Sequence, residues 1–166
     1  MIRIVEKDDT QQICDIYNYY VENSTITFEE DPVSISEMKS RIGEVTASLP
    51  WLVYEKEQQI IGYAYASKWK GRCAYRFSVE STVYIKHEFT GNGVGKKLYE
   101  KILADLHGKK IHAVIGGIAM PNVKSQQLHE KLGFTKVAHF SEVGYKFSEW
   151  IDVGYWQLIL SSYKSV

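Results

Sequence analysis

The spacing of apolar positions along the chain changes twice, and those changes lay out its elements. Residues 2–5 read as a short first strand. Asp8, Asp9 and Thr10 are all suited to cap a helix. They precede Ile13, Ile16, Tyr17, Tyr20 and Val21, whose i, i+3, i+4, i+7, i+8 spacing is one face of an amphipathic helix. NSTITFEEDP (23–32) is turn-rich and carries an aromatic, so it reads as a loop able to reach a site. Ser34 and Glu37 then have capping-box spacing, and Ile35, Met38, Ile42 and Val45 predict a second helix with a buried stripe.

From Trp51 the period falls to two. WLVYE (51–55) and IIGYAYASKW (60–69), separated by a polar turn, predict a hairpin. AYRFSVESTVYI (74–85) alternates, with Phe77, Val79, Ser81, Val83 and Ile85 on one face and Arg76, Ser78, Glu80, Thr82 and Tyr84 on the other. The helical period returns in KKLYEKILADLHG (96–108), where Leu98, Ile102 and Leu106 share a face and Gly108 ends the run. HAVIGGIAM (112–120) predicts a buried strand, and PNVKSQQLHEKLG (121–133) a short helix stopped by Gly133. FTKVAHF (134–140) and DVGYWQLIL (152–160) supply two more strands.

The predicted order is strand, two helices, three strands, helix, strand, helix, two strands. Its strand–glycine loop–helix–strand segment is a βαβ unit, so the expected fold is α/β, a central mixed sheet with helices on both faces. No repeat or linker divides the chain, and residues 1–166 are expected to form a single domain. An apolar fraction of 45% with 24% charged residues argues against disorder. Twenty basic residues balance twenty acidic ones, so no long-range field recruits nucleic acid or an anionic membrane. The charged opening and the lack of any spanning apolar run point to a soluble, cytoplasmic protein. Cys14 and Cys73 match no metal or redox spacing and read as packing residues.

The most suggestive chemistry lies in TGNGVGKK (90–97). Gly91, Gly93 and Gly95 free backbone amides at the start of a helix, which makes an anion site. Two familiar templates fail. A nucleoside-triphosphate loop needs Gly where Thr90 stands, and Ser or Thr where Lys97 stands. A dinucleotide fingerprint needs G-x-G-x-x-G, and this spacing is one residue too short. A phosphate or pyrophosphate cradle and a plain flexible turn both remain open on spacing alone.

The loop, the element order and three longer blocks together resemble the GNAT N-acetyltransferase superfamily. Thr90-Gly91-Asn92-Gly93-Val94-Gly95 matches its [QR]-x-x-G-x-[GA] loop at both glycines, with Thr90 standing where Gln or Arg is usual. WKGRCAYRFSVESTVYI (69–85), PNVKSQQLHEKLGF (121–134) and GYKFSEWIDVGYWQ (144–157) look most like the phosphinothricin, methionine sulfone and methionine sulfoximine N-acetyltransferases. With NYYVENSTITFEEDP near the front, the likeness covers nearly the whole chain.

That resemblance implies the acyl-CoA N-acyltransferase fold and acetyl-CoA as acetyl donor. It also implies direct attack by an amine with no metal, a small amino-acid-like acceptor, and a homodimer. It assigns general-base work to Glu80, whose plain alternative is an ion pair with Arg72 or Arg76. It offers His129 as acid for the departing thiolate, the alternative being a capping or pocket-lining ring. Val83, Tyr84 and Ile85 are expected to align the pantetheine through their backbone, as an added strand would. Gly91, Asn92, Gly93, Val94, Gly95 and Lys96 would wrap the pyrophosphate. Asn122 and Ser125 match CoA-contacting positions, or else cap their helix. Phe28, Glu29, Trp69, Arg72, Cys73, Ala74, Tyr75, Arg76 and Phe77 are the acceptor-pocket candidates, and an arginine suits an α-carboxylate. Trp150, Tyr155 and Trp156 fit either an interface or a core. Two rival functions stay open here: acetylation of a protein amino terminus or polyamine, and a non-catalytic acyl-CoA sensor. Resistance to a xenobiotic and acetylation of a metabolite would need the same pocket.

Overall fold

The computed structural model describes residues 1–160. Seven strands form one twisted mixed sheet: β1 (Ile2–Ile4), β2 (Trp51–Lys56), β3 (Gln59–Lys68), β4 (Ser78–Ile85), β5 (Ala113–Ala119), β6 (Thr135–Lys146) and β7 (Glu149–Ile159). Their spatial order is β1-β2-β3-β4-β5-β7-β6. Every neighbouring pair is antiparallel except β4 and β5, which run parallel because α3 (Val94–Gly108) crosses between them. The remaining helices are α1 (Thr10–Asn23), α2 (Ile35–Thr46) and α4 (Val123–Lys131). The element order is the one the hydrophobic periods predict.

Two cores sit on opposite faces of the sheet. On one, Leu98, Ile102, Leu103 and Leu106 of α3 are fully buried against Val79, Val114, Trp156 and Leu158. On the other, Ile13, Tyr17, Tyr20 and Val21 of α1, with Met38 and Ile42 of α2, cover Trp51, Val53 and Tyr63. Ser34 caps α2 by accepting from the Glu37 amide at 3.2 Å, as its spacing predicts, although Ile35 is half exposed and lies off the stripe. Arg3 ties β1 to the turn before α1 by gripping both oxygens of Asp9, at 2.7 and 2.8 Å, and Glu55 at 2.7 Å.

Several boundaries differ from the sequence reading. The 74–85 alternation begins as strand only at Ser78, because Cys73–Tyr75 close a tight 3-10 turn first. Helix α3 starts at Val94, so Gly95 and Lys96 lie in its first turn rather than ahead of it. The last two strands are longer than their apolar runs: β6 continues to Lys146 and β7 starts at Glu149, forming one long hairpin. Among the described residues, no helix is long and apolar enough to cross a membrane.

Candidate active site

The parallel strands β4 and β5 pair over three positions only, Ser78 with Ala113, Val79 with Val114 and Glu80 with Ile115. Beyond Glu80 the two strands part. The backbone of 81–85 that faces β5 is then left without a strand partner, while β3 still pairs with its other edge. A cavity of about 690 Å³ opens in the gap, a size that suits a small molecule or a cofactor arm. Ser81, Val83, Tyr84 and Ile85 line one wall, Gly117 and Ala119 the other, and Asn122, Ser125, Leu128 and His129 of the α4 region the floor.

The glycine loop closes the far end. Gly91 and Gly93 adopt φ of +82° and +76°, left-handed values that glycine accepts without strain. They turn the chain so that α3 begins with its amino terminus at the cavity, where Gly91, Gly93, Val94, Gly95 and Lys96 all contribute to the lining. The first-turn amides of a helix have no intrahelical acceptor and attract anions. Thr90 turns its hydroxyl back onto the His87 carbonyl at 3.0 Å. Among the described residues Lys96 pairs with Glu100 alone, at 3.4 Å on the surface, so its charge is available to a phosphate. The slot and the loop fit a pantetheine arm with a pyrophosphate at its end.

Glu80 sits where the β4–β5 ladder ends. Among the described residues its carboxylate forms no ion pair and no side-chain hydrogen bond. Arg76, one of the two arginines expected as alternative partners, instead stacks on the Phe77 ring, 4.5 Å from its centroid, and Arg72 is exposed. Burial pushes the Glu80 carboxyl above its ordinary range, while the charge of Lys70 pulls the other way. An unpaired, half-buried carboxylate with a raised pKa is a stronger base than an ordinary glutamate.

Two adjacent glycines of β5 make room for the two polar residues of the site. A Cβ on Gly116 would lie 2.4 Å from His129 Nε2, and one on Gly117 would lie 3.1 Å from Glu80 Oε1. Since neighbouring strand residues face opposite ways, His129 and Glu80 lie on opposite faces of the sheet, with the parting of the strands between them. Gly117 is also exposed, although β5 is a central strand. The face beside Glu80 is therefore open.

His129 is 3% exposed. Its Nδ1–H donates to the Ser125 carbonyl at 2.8 Å, since a carbonyl can only accept, and its Nε2 lies 2.9 Å from the Tyr99 hydroxyl. Burial lowers its pKa, which favours the neutral ring, so Tyr99 donates to Nε2. Tyr99, buried on α3, lines the same cavity and reaches Ser81 Oγ at 3.2 Å. The sequence reading missed Tyr99, which α3 presents beside Leu98 and Leu103 as one more apolar residue.

On the open face, Trp69 meets Tyr155 edge-on at 5.6 Å, and Phe140 meets the other side of Tyr155 at 5.7 Å. The same tyrosine would lie 3.2 Å from a Cβ on Gly117, which puts this aromatic cluster beside Glu80. Arg72, Cys73, Ala74, Tyr75, Arg76 and Phe77 are all exposed on the segment that follows Trp69. Glu29 does not stand free. Arg41 takes its oxygens at 2.6 and 3.1 Å, and the Tyr17 hydroxyl donates to it as well. Phe28 lies over Gly144 of the last hairpin. Asn122 Oδ1 accepts from the Ser125 amide at 3.1 Å, so the capping role is occupied even as both residues line the cavity. Trp156 is core, whereas Trp150 is 63% exposed.

Comparison with known proteins gives the same picture. Residues 2–154 match the acetyltransferase (GNAT) domain family. The chain is 39% identical over 156 residues to phosphinothricin N-acetyltransferase of Streptomyces viridochromogenes, covering 94% of this chain and 85% of that one. It is 30% identical over 168 residues to the L-methionine sulfoximine/L-methionine sulfone acetyltransferase of Salmonella typhimurium, covering 98% and 95%. A crystal structure of a phosphinothricin acetyltransferase from Sinorhizobium meliloti in complex with acetyl-CoA superimposes with a TM-score of 0.94 at 32% identity, covering 100% of this chain and 92% of that one.

Proposed function

This chain belongs to the GNAT acetyltransferase family and is an acetyl-CoA-dependent N-acetyltransferase, and from that premise we propose that its acceptor is the α-amine of a small, glutamate- or methionine-like amino acid. The observation that carries this reading is the position of Glu80. It is an unpaired carboxylate at the parting of β4 and β5, beside the exposed Gly117, which itself lines the cofactor-sized slot.

In this account Glu80 takes a proton from the acceptor's ammonium, directly or through a water, and the freed amine attacks the thioester carbonyl. The new C–N bond forms as the C–S bond breaks, sulfur leaves as a thiolate, and the attacking nitrogen gives up its second proton, which ends on that sulfur. Free thiols have a pKa of about 8.5, so at neutral pH the leaving group ends protonated without a dedicated acid. What the site must supply is a donor to the developing charge, and the Tyr99 hydroxyl beside the cavity serves if it turns its one proton from His129 Nε2 to the departing sulfur. The satisfied nitrogens of His129 support the alternative to an acid, a ring that caps the Ser125 carbonyl and lines the pocket, and its Nε2 also holds Tyr99. The backbone of Val83, Tyr84 and Ile85 aligns the pantetheine, and Gly91 to Lys96 take the pyrophosphate. Arg72 or Arg76 meets the acceptor carboxylate, with Trp69 and Tyr155 as the aromatic wall. Glu29 serves the loop rather than the acceptor.

We also propose that the chain forms a homodimer, supported by the edge strand β6. Val137, Phe140, Val143 and Tyr145 of β6, Phe147 in the turn and Trp150 of β7 are each 50% to 63% exposed, and Tyr145 and Trp150 pack together at 4.8 Å on this edge hairpin. Light scattering of the wild-type chain against Trp150→Asp reads this directly: a mass near twice 19.1 kDa that halves in the variant supports it, and a wild-type monomer refutes it.

The test of function is mass-spectrometric detection of acetylated product after incubation with acetyl-CoA. Phosphinothricin, methionine sulfoximine and methionine sulfone are run beside an amino-terminal peptide and a polyamine. Acetylation of the amino acids in preference to the last two is expected; the reverse preference would overturn the acceptor assignment.

A further inference from the structure

Lys146 is the one lysine or arginine buried in the fold among the described residues, at 1% exposure, and the chemistry above does not use it. Its Nζ donates to the Ser24 and Thr27 carbonyls, each at 2.8 Å, across more than a hundred residues of sequence. It also lies 4.9 Å from the centroid of the Phe147 ring. No carboxylate comes within ion-pair distance of it among the described residues. A buried ammonium held by two carbonyls is costly unless those carbonyls need it.

The topology shows why they do. The sheet is nearly two half-sheets, β1–β4 and β5–β7–β6, which share only three paired positions before parting. The 24–29 loop leaves α1 on the first half, over Tyr84, where Ile26 lines the cavity. The tip of the β6–β7 hairpin belongs to the second half. Gly144 and Lys146 pair with Ile151 and Glu149, on the same face of the hairpin that carries Tyr155. The loop thus bridges the parting at its open end. Lys146 grips it at Ser24 and Thr27, and Phe28 packs where a Cβ on Gly144 would lie only 2.5 Å from the ring. Tyr17 secures the near side, with its hydroxyl 2.8 Å from Thr27 Oγ1.

We propose that Lys146 is a positioning residue, a clasp that joins the two half-sheets across the cleft and fixes the 24–29 loop as the acceptor-side wall. The inference rests on the acceptor reading above for its kinetic consequence, but not for its structural one. Its effect falls mainly on the acceptor, because Lys146 holds the loop at Ser24 and Thr27, while the pyrophosphate is taken by the separate 91–96 segment.

Two readouts on the full-length chain test it: hydrogen exchange of the 24–30 amides, and steady-state kinetics with acetyl-CoA and methionine sulfoximine. Lys146→Met keeps the aliphatic stem and removes the charge. It should speed exchange of those amides by about tenfold or more while leaving β3 and α3 protected. It should also raise acceptor KM by about tenfold, with kcat within about threefold and acetyl-CoA affinity within about twofold of wild type. Gly144→Ala, which displaces Phe28 from the same tip, should shift both readouts the same way. A lysine that merely stabilises the fold would lower Tm and move neither readout. Wild-type exchange and wild-type acceptor KM in Lys146→Met would overturn the proposal. Should that variant fail to fold, Gly144→Ala decides by the same criteria. Faster exchange in a protein that acetylates no acceptor at all, wild type included, would keep the clasp and remove the acceptor reading.

Discussion

Adjacent glycines in β5 should fail in opposite ways when each gains one methyl group. At Gly117 the added carbon meets Glu80 Oε1 at 3.1 Å and Tyr155 Cε1 at 3.2 Å. Those contacts are a few tenths of an ångström too close, and the carboxylate is the flexible end of its side chain. The fold accommodates the change, and alanine in a strand even recovers roughly 0.5–1 kcal/mol of backbone entropy. What moves is the base. A shift of the reacting carboxylate by a fraction of an ångström should lower kcat by about tenfold, given that a full ångström costs roughly a hundredfold. At Gly116 the carbon would lie 2.4 Å from His129 Nε2 and 2.7 Å from Cδ2. This ring has no room to yield, being buried between Tyr99 and Phe134. Overpacking at about 1–3 kcal/mol plus a lost buried hydrogen bond at about 1 kcal/mol gives a destabilisation of roughly 2–4 kcal/mol, or a fall in Tm of ~4–16 °C. Thiol-release rates and thermal unfolding of Gly116→Ala and Gly117→Ala measure both arms. A Gly117→Ala enzyme with wild-type kcat, or a Gly116→Ala protein with wild-type Tm, would refute the placement of Glu80 or His129 respectively.

Other expectations follow from the same geometry. The basic form of Glu80 is the active one and its pKa is raised, so kcat/KM should fall as pH drops through a midpoint above the ordinary glutamate value of about 4.3. A profile flat down to that value would remove the buried base. Tyr99→Phe deletes the hydroxyl between Ser81 and His129, and it should lower kcat by about ten- to a hundredfold with little change in acetyl-CoA affinity; unchanged kcat would make Tyr99 a packing residue only. Burial alone would raise the carboxyl of Asp9, but the Arg3 hydrogen bonds and the Glu6 amide outweigh it and hold it low. Its contribution is then present above the unfolded carboxylate pKa and is lost as pH falls through the lower folded value. Asp9→Asn should accordingly cost roughly 1–3 kcal/mol at neutral pH and progressively less in acid, read by urea unfolding at both pH values.

Much of this was legible in the residues because local pattern and global fold agree. The switch from helical to alternating spacing at Trp51 marks the first hairpin. The alternation of Val79, Ser81 and Val83 against Glu80 and Thr82 puts Glu80 on the face away from α3, where the structure has it. The glycines at 91 and 93 announce a left-handed turn before a helix. What stayed hidden depends on contacts between distant segments. Glu29 looks free in TFEE, and only the fold brings Arg41 and Tyr17 to it. Lys146 lies beyond the predicted 134–140 strand, and only the fold brings the Ser24 and Thr27 carbonyls to it. Strand β6 hides its register because most of its positions are exposed and bulges interrupt the alternation. His129 was ambiguous for another reason: a histidine's role is set by what its two nitrogens meet, and Tyr99 arrives from a different helix. One available signal was missed. The pair Gly116-Gly117 inside an apolar strand, IGGIA, marks a place where side chains from both faces approach the backbone.

The most direct test of the central claim is the rate of CoA thiol release from acetyl-CoA with methionine sulfoximine, phosphinothricin or methionine sulfone, for wild type and Glu80→Gln together. The account predicts saturable release with at least one acceptor. It also predicts a fall of about a hundredfold or more in kcat for the variant, with acetyl-CoA affinity unchanged. Undiminished turnover in Glu80→Gln would contradict the assigned base. Silence of the wild-type enzyme with all three acceptors, despite tight acetyl-CoA binding, would contradict the assigned acceptor.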